Sequence, residues 1–154
     1  MTTITFWEKP DCGGNARQRA ILEAAGHTLI VKSILAEPWT RQRLFDFFEG
    51  LPVAHWFNRA AAEVKSGEIV PEMMDATTAV SLMVNYPLLI RRPLMQRDDG
   101  STHVGFVLEE VEAWVGLGDA WPAEVPRQTP ANLEGCMSKG EACPSPEVSD
   151  EATA

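Results

Sequence analysis

Ile4-Thr5-Phe6-Trp7-Glu8-Lys9-Pro10-Asp11-Cys12-Gly13-Gly14-Asn15-Ala16-Arg17 is the stretch on which the reading of this chain turns. Its first four residues form an apolar, strand-like run. From Asn15 to Ala25 the pattern changes to a helix, with Ala16, Ala20, Ile21, Ala24 and Ala25 on one side and Gly26 as the stop. Cys12 therefore falls in a strand-loop-helix corner. A helix start leaves several backbone N–H groups unpaired and carries about half a positive charge, which favours a sulfur there as thiolate, the nucleophilic form. Gly13 and Gly14 let the backbone approach a ligand, while Asn15, Arg17 and Arg19 bring donors and positive charge. Together these are features of anion-binding chemistry.

Spacing narrows the kind of thiol site. A Cys-x-x-Cys pair would need its second sulfur at position 15, which is Asn15. Turnover then requires glutathione, a partner protein or a distant cysteine to resolve a Cys12 adduct. A phosphatase-type loop brackets five residues, whereas Cys12 and Arg17 bracket four, and no Gly-Lys-Ser/Thr triplet follows the glycines.

Further along, Thr28 to Leu35 reads as a second, buried strand parallel to the first, closing a right-handed βαβ unit. Helices are predicted over Thr40 to Glu49, around Val53, Trp56 and Phe57, and over Asp75 to Asn85, where Pro87 ends the run. Leu94 to Arg97 and Thr102 to Val104 read as a hairpin turned at Asp98-Asp99-Gly100. Val107, Val111, Trp114 and Val115 mark a last helix that Gly116 stops. The expected order is β-α-β, a helical insertion, then β-β-α.

At 154 residues the chain is expected to form one domain, residues 1–118, followed by a flexible, Pro-rich acidic tail, residues 119–154. The tail carries Cys136 and Cys143, either of which could resolve an adduct on Cys12 if the tether reaches it. A net charge of −9 argues against nonspecific nucleic-acid binding, which depends on neutralising phosphates with Lys and Arg. The N-terminus has no basic region followed by a long apolar stretch, and no segment approaches spanning length, so no membrane contact and a cytoplasmic location are expected. His27, His55 and His103 share no ligand spacing, and no metal site is expected.

Two signatures in order resemble the ArsC family of arsenate reductase-like proteins. One is the strand, Pro-x-Cys loop and helix from Phe6 to Gly26. The other is Tyr86-Pro87-Leu88-Leu89-Ile90-Arg91-Arg92-Pro93-Leu94, followed by Gly100 and Val104-Gly105-Phe106. Phe6-Trp7-Glu8-Lys9-Pro10, Trp56-Phe57-Asn58-Arg59 and Val64-Lys65-Ser66-Gly67 resemble its nitrogenase-associated branch. The resemblance implies an α/β, thioredoxin-like (ArsC-like) fold with a mixed four-stranded sheet flanked by helices. It also implies that Pro93, after a peptide that is often cis in such folds, faces Cys12 and brings Arg92 beside it.

The family's oxyanion site uses a cysteine and three arginines. Arg92 matches the second; the first falls at Asn58, with Arg59 one residue out of register, and the third falls at Gly105. Glu8 sets a carboxylate near the thiol, which Lys9 and Arg17 are expected to offset. The function implied is a monothiol oxidoreductase linked to nitrogen fixation, with Cys12 and Arg92 catalytic and Gly13, Gly14, Asn15, Arg17, Asn58, Arg59 and Pro93 binding the anion. No cofactor is bound, and glutathione or glutaredoxin supplies electrons. The alternative is a non-enzymatic redox sensor or partner-binding regulator with a degenerate arsenate reductase site, acting on a nitrogenase-related or transcription partner.

Overall fold

The computed structural model describes residues 2–10, 12–123, 125 and 133–134. Four strands, β1 (Thr3–Glu8), β2 (Thr28–Ser33), β3 (Leu94–Arg97) and β4 (Thr102–Val104), lie side by side in the order β2-β1-β3-β4. β1 runs parallel to β2, from Thr3 opposite Thr28 to Glu8 opposite Ser33, and antiparallel to β3, with Trp7 opposite Leu94. β4 returns antiparallel to β3 through the predicted turn, where the Gly100 N–H donates to the Arg97 carbonyl at 2.9 Å. This is the mixed thioredoxin-like sheet that the resemblance implies.

One expectation fails in detail. Read as a buried strand, β2 is instead the sheet edge, with Ile30 and Val31 47% and 43% exposed. β-branched composition reports that a segment fits a pleated surface; it does not report which strands flank it.

Period-2 alternation divides the interior into two layers. Ile4 and Phe6 of β1 and Met95 of β3 point to one face, where they pack with Ile21, Leu22, Phe106 and Val111. Trp7 and Leu94 point to the other and join Leu44, Phe48, Trp56, Phe57, Val80 and Met83. α1 (Gly13–Ala24) and α5 (Leu108–Val115) supply the first layer, while α2 (Arg41–Phe48) and α4 (Ala76–Asn85) supply the second. Between α2 and α4 lie the short α3 (Ala62–Lys65) and single 3-10 turns at Val53–His55 and Pro71–Met73. The Thr40 hydroxyl accepts the Arg43 N–H at 3.1 Å and the Asp75 carboxylate accepts the Thr78 N–H at 3.0 Å, so the sequence itself marks where α2 and α4 begin. None of the helices among the described residues is long and apolar enough to cross a membrane.

The apolar body runs past residue 118. Val125 and Leu133 are buried in the layer that holds Phe6 and Phe106, and the Leu133 N–H donates to the Phe106 carbonyl at 3.0 Å. A Pro-rich composition concealed these anchors, because isolated apolar residues between prolines carry no helical or strand period. Cys136 and Cys143 lie outside the described residues. Leu133→Ala is expected to lower the unfolding free energy by about 2–4 kcal/mol, the cost of emptying a buried leucine site, measured by urea denaturation. A change near zero would mean that Leu133 does not anchor the core.

Candidate functional site

α1 starts at Gly13, two residues before the start predicted at Asn15, because both glycines take helical geometry. Cys12 is consequently its N-cap, with φ −90° and ψ 119°, and the Cys12 carbonyl accepts the Ala16 N–H at 3.1 Å. Its own N–H donates to the Lys9 carbonyl at 3.3 Å, closing the loop beneath the helix. The side chain makes no capping bond, and the first turn of α1 contains no acidic residue. The positive end of the helix is therefore not neutralised from within, and the residue standing on it carries the sulfur. Cys12 is only 3% exposed, so access to the thiol is restricted.

The pairing of Trp7 with Leu94 brings the end of β1 alongside the start of β3. The loop leaving β1 thereby meets the segment entering β3, and the Arg92–Pro93 peptide there is cis. Arg92 is 3% exposed and interacts with the Cys12 side chain. Burial pushes the guanidinium below the ordinary arginine range, while its interaction with Cys12 acts in the opposite direction. Pro93 is buried next to it, and its carbonyl accepts the Gly105 N–H at 2.9 Å. Two segments distant in sequence thus join a sulfur and a guanidinium.

The other sequence candidates divide. Gly13 and Gly14 form the first turn of α1, half-buried and buried, and Arg17 follows on the same helix, partly exposed. Asn15 was expected to contact substrate, but its side chain is wholly buried and committed to the scaffold. Its Oδ1 accepts the Lys9 N–H at 3.0 Å, and its Nδ2 donates to Gln18 Oε1 at 2.7 Å. Gln18 Nε2 in turn donates to the Leu133 carbonyl, so this buried chain of bonds joins the thiol loop to the C-terminal anchor. Glu8 is answered by Arg19 at 2.8 Å, rather than by Lys9 or Arg17 as expected.

Asn58 lies near the site with its side chain engaged in backbone contacts. Its Nδ2 donates to the Leu88 carbonyl at 3.0 Å and its Oδ1 accepts the Ala60 N–H at 3.0 Å. Arg59 does not rescue the first arginine. It is exposed, pairs with Glu72 at 2.7 Å, and lines a different cavity, of about 590 Å³, together with Arg91 and His103. Arg97, at the end of β3, pairs with Asp99 at 2.6 Å.

At Gly105 the reason for the missing third arginine is steric. Its φ is +84°, and a Cβ there would lie 2.6 Å from Arg91 Nε, Arg91 Nη2 and Glu134 Oε2. Arg91 and Glu134 fill that space with two 2.7 Å hydrogen bonds, and Glu134 also accepts the Phe106 N–H at 3.1 Å. The sequence offered no signal for Glu134, which follows a stretch without period.

Against Arg92 opens a cavity of about 370 Å³, bounded by Lys9 of the thiol loop, by Asn58 and Ala61, by Leu88 and by Leu35. Lys9 is 7% exposed, and its burial was not legible because lysine is ordinarily a surface residue.

The sequence pattern of the ArsC family matches residues 10–114, which span both the thiol loop and the Arg92–Pro93 segment. The chain belongs to the ArsC family. It is 42% identical over 139 residues to an uncharacterised 15.7 kDa protein in the draG 3' region of Rhodospirillum rubrum, covering 90% of this chain and 91% of that one. It is 25% identical over 122 residues to arsenate reductase ArsI2 of Synechocystis sp., covering 78% and 84%. Among solved structures, an ArsC family related protein from Bacteroides fragilis superposes with a TM-score of 0.62 at 23% identity, covering 72% of this chain and 97% of that chain. Arsenate reductase from Vibrio cholerae gives 0.61 at 20%, covering 73% and 97%. These structures share the fold of this ArsC family member.

Asn15→Ala removes the acceptor of the Lys9 N–H and the donor to Gln18 together. Each buried group left unsatisfied costs about 1–3 kcal/mol, so the variant is expected to lose at least about 2 kcal/mol of stability. Its Lys9 amide should also exchange with deuterium faster than in the wild type. Unchanged exchange at Lys9 would show that Asn15 does not hold the loop.

Proposed function

We propose that this protein is a monothiol oxidoreductase in which Cys12 is the nucleophile and Arg92 stabilises the charge on sulfur. The observation that carries this reading is the placement of the buried Arg92 guanidinium against Cys12 at the start of α1, whose first turn contains no acidic residue. Family membership supports it, since the match covers both segments that meet there. In the first step the Cys12 thiolate attacks one sulfur of a small disulfide. The S–S bond breaks, a mixed disulfide forms on Cys12, and the departing thiolate takes a proton from water. A second thiol, with glutathione as the expected donor, then attacks the mixed disulfide and returns Cys12 to thiolate. Electrons pass from the second thiol to the original disulfide, and the protein is unchanged.

Arsenate is a poorer substrate in this reading. Of the three family arginine positions only Arg92 is present, and each charge-assisted hydrogen bond not made forfeits about 1.5–3 kcal/mol. The draG-region relative from Rhodospirillum rubrum supports a setting in nitrogen fixation. A regulatory reading is favoured by one specific observation, the 3% exposure of Cys12, which suits a sensor thiol that reacts only when its loop opens.

Glutathione-dependent, NADPH-coupled reduction of a glutathione mixed disulfide separates the two. Wild type is expected to turn over, and Cys12→Ser to lose at least about 100-fold, as expected for removal of a covalent nucleophile. Arsenate should support far slower turnover. Equal rates for wild type and Cys12→Ser would leave the regulatory reading in place of the enzymatic one.

A further inference from the structure

The cavity beside Arg92 contains a cation that no carboxylate in the described fold answers. Arg19, Arg43, Arg59, Arg91 and Arg97 each face an acidic side chain at 2.6–2.8 Å. Lys9 is more buried than any of these pairs, at 7% exposure, yet its ammonium makes no hydrogen bond or ion pair among the described residues. Burying a charge without a partner is unfavourable unless water or a ligand reaches it. The route by which something can reach Lys9 is the cavity it lines, which it shares with Arg92.

The remaining walls define what would fit. Leu35, Ala61 and Leu88 offer aliphatic surface, and Asn58 and Asn85, whose Nδ2 groups donate to the Leu88 and Ser81 carbonyls, add polar edges. Among the described residues the one carboxylate in the lining is Glu63, which is exposed. At about 370 Å³ the space falls within the range of small-molecule sites, about 300–1,000 Å³. Arg92 connects this space to the reaction, because it lies against Cys12 and also lines the cavity.

We infer that this cavity is a specificity site, in which Lys9 and Arg92 together bind the carboxylate of a small aliphatic thiol or disulfide and so select anionic co-substrates over neutral ones. The inference rests on the thiol chemistry proposed for Cys12 and adds the substrate class. Two cations in a partly closed, low-dielectric space attract an anion far more strongly than either does in water. Lys9 does not touch the sulfur; its part is to hold the far end of the ligand.

Paired alkylating reagents test this in the full-length protein. Iodoacetate carries a carboxylate and iodoacetamide, of nearly the same size, does not. Both meet the same thiolate, so the ratio of their rates at Cys12, followed by peptide mapping, cancels any change in ionisation of the sulfur. Lys9→Met is expected to lower the iodoacetate to iodoacetamide ratio by about fivefold to tenfold, and Lys9→Arg to keep it within about twofold of wild type. The same ratio in Lys9→Met as in wild type overturns the inference, and Lys9 then only reaches solvent through the opening. If Lys9→Met does not fold, Asn85→Asp places a carboxylate in the same wall from an exposed position, and the ratio should fall; no fall overturns the inference equally. Failure of both reagents to label Cys12 in the folded wild type is a different result, which removes the thiol reading itself and the specificity site with it.

Discussion

The contact between Cys12 and Arg92 is the constraint around which the rest is arranged. Neither residue has a local reason to be near the other: one caps α1, and the other precedes β3 eighty residues later. The register of the sheet brings them together, because pairing Trp7 with Leu94 sets the exit of β1 beside the approach to β3. A slip of one residue would reverse which of Phe6, Trp7, Leu94 and Met95 faces which core layer. Packing of the large side chains thereby fixes the geometry of the small polar site at the end of the strands.

Around that contact the sequence has spent its buried polar groups on holding the loop. Asn15 accepts the Lys9 N–H, Gln18 extends the chain to Leu133, and Arg19 neutralises Glu8. The C-terminal anchor is thus connected to the thiol by hydrogen bonds and by the apolar layer that receives Leu133. Where the ArsC family's third arginine would enter, Arg91 and Glu134 pair across Gly105 and occupy the space. The site that results has one arginine beside the sulfur, and the same arginine borders a cavity that Lys9 also lines.

Much of this was legible from residues alone, and the failures have physical causes. The strand-loop-helix corner, the Asp98-Asp99-Gly100 hairpin and the pairing of Cys12 with Arg92 follow from strong local signals and from the family resemblance. The edge position of β2 was not legible, since a strand's composition does not encode its neighbours. A helix start reads as a source of donors for a ligand, whereas the Asn15 side chain is engaged by Lys9 and Gln18. Arg59 was one residue from a family position, and one residue in a turn was enough to send it to Glu72 and another cavity. The pairing of Glu134 and the burial of Lys9 were not legible, because long-range ion pairing and the burial of a lysine leave no period in the sequence.

The central claim is that a nearly buried sulfur at the start of α1 still exchanges with disulfides in the folded state. The most direct measurement is incubation of the native, full-length protein with glutathione disulfide at neutral pH, with the adduct located by mass spectrometry of non-reduced peptides. The account predicts a glutathione adduct on Cys12 in the folded protein, formed more slowly in Arg92→Met. An adduct confined to Cys136 and Cys143, with Cys12 modified only after unfolding in urea, would contradict it.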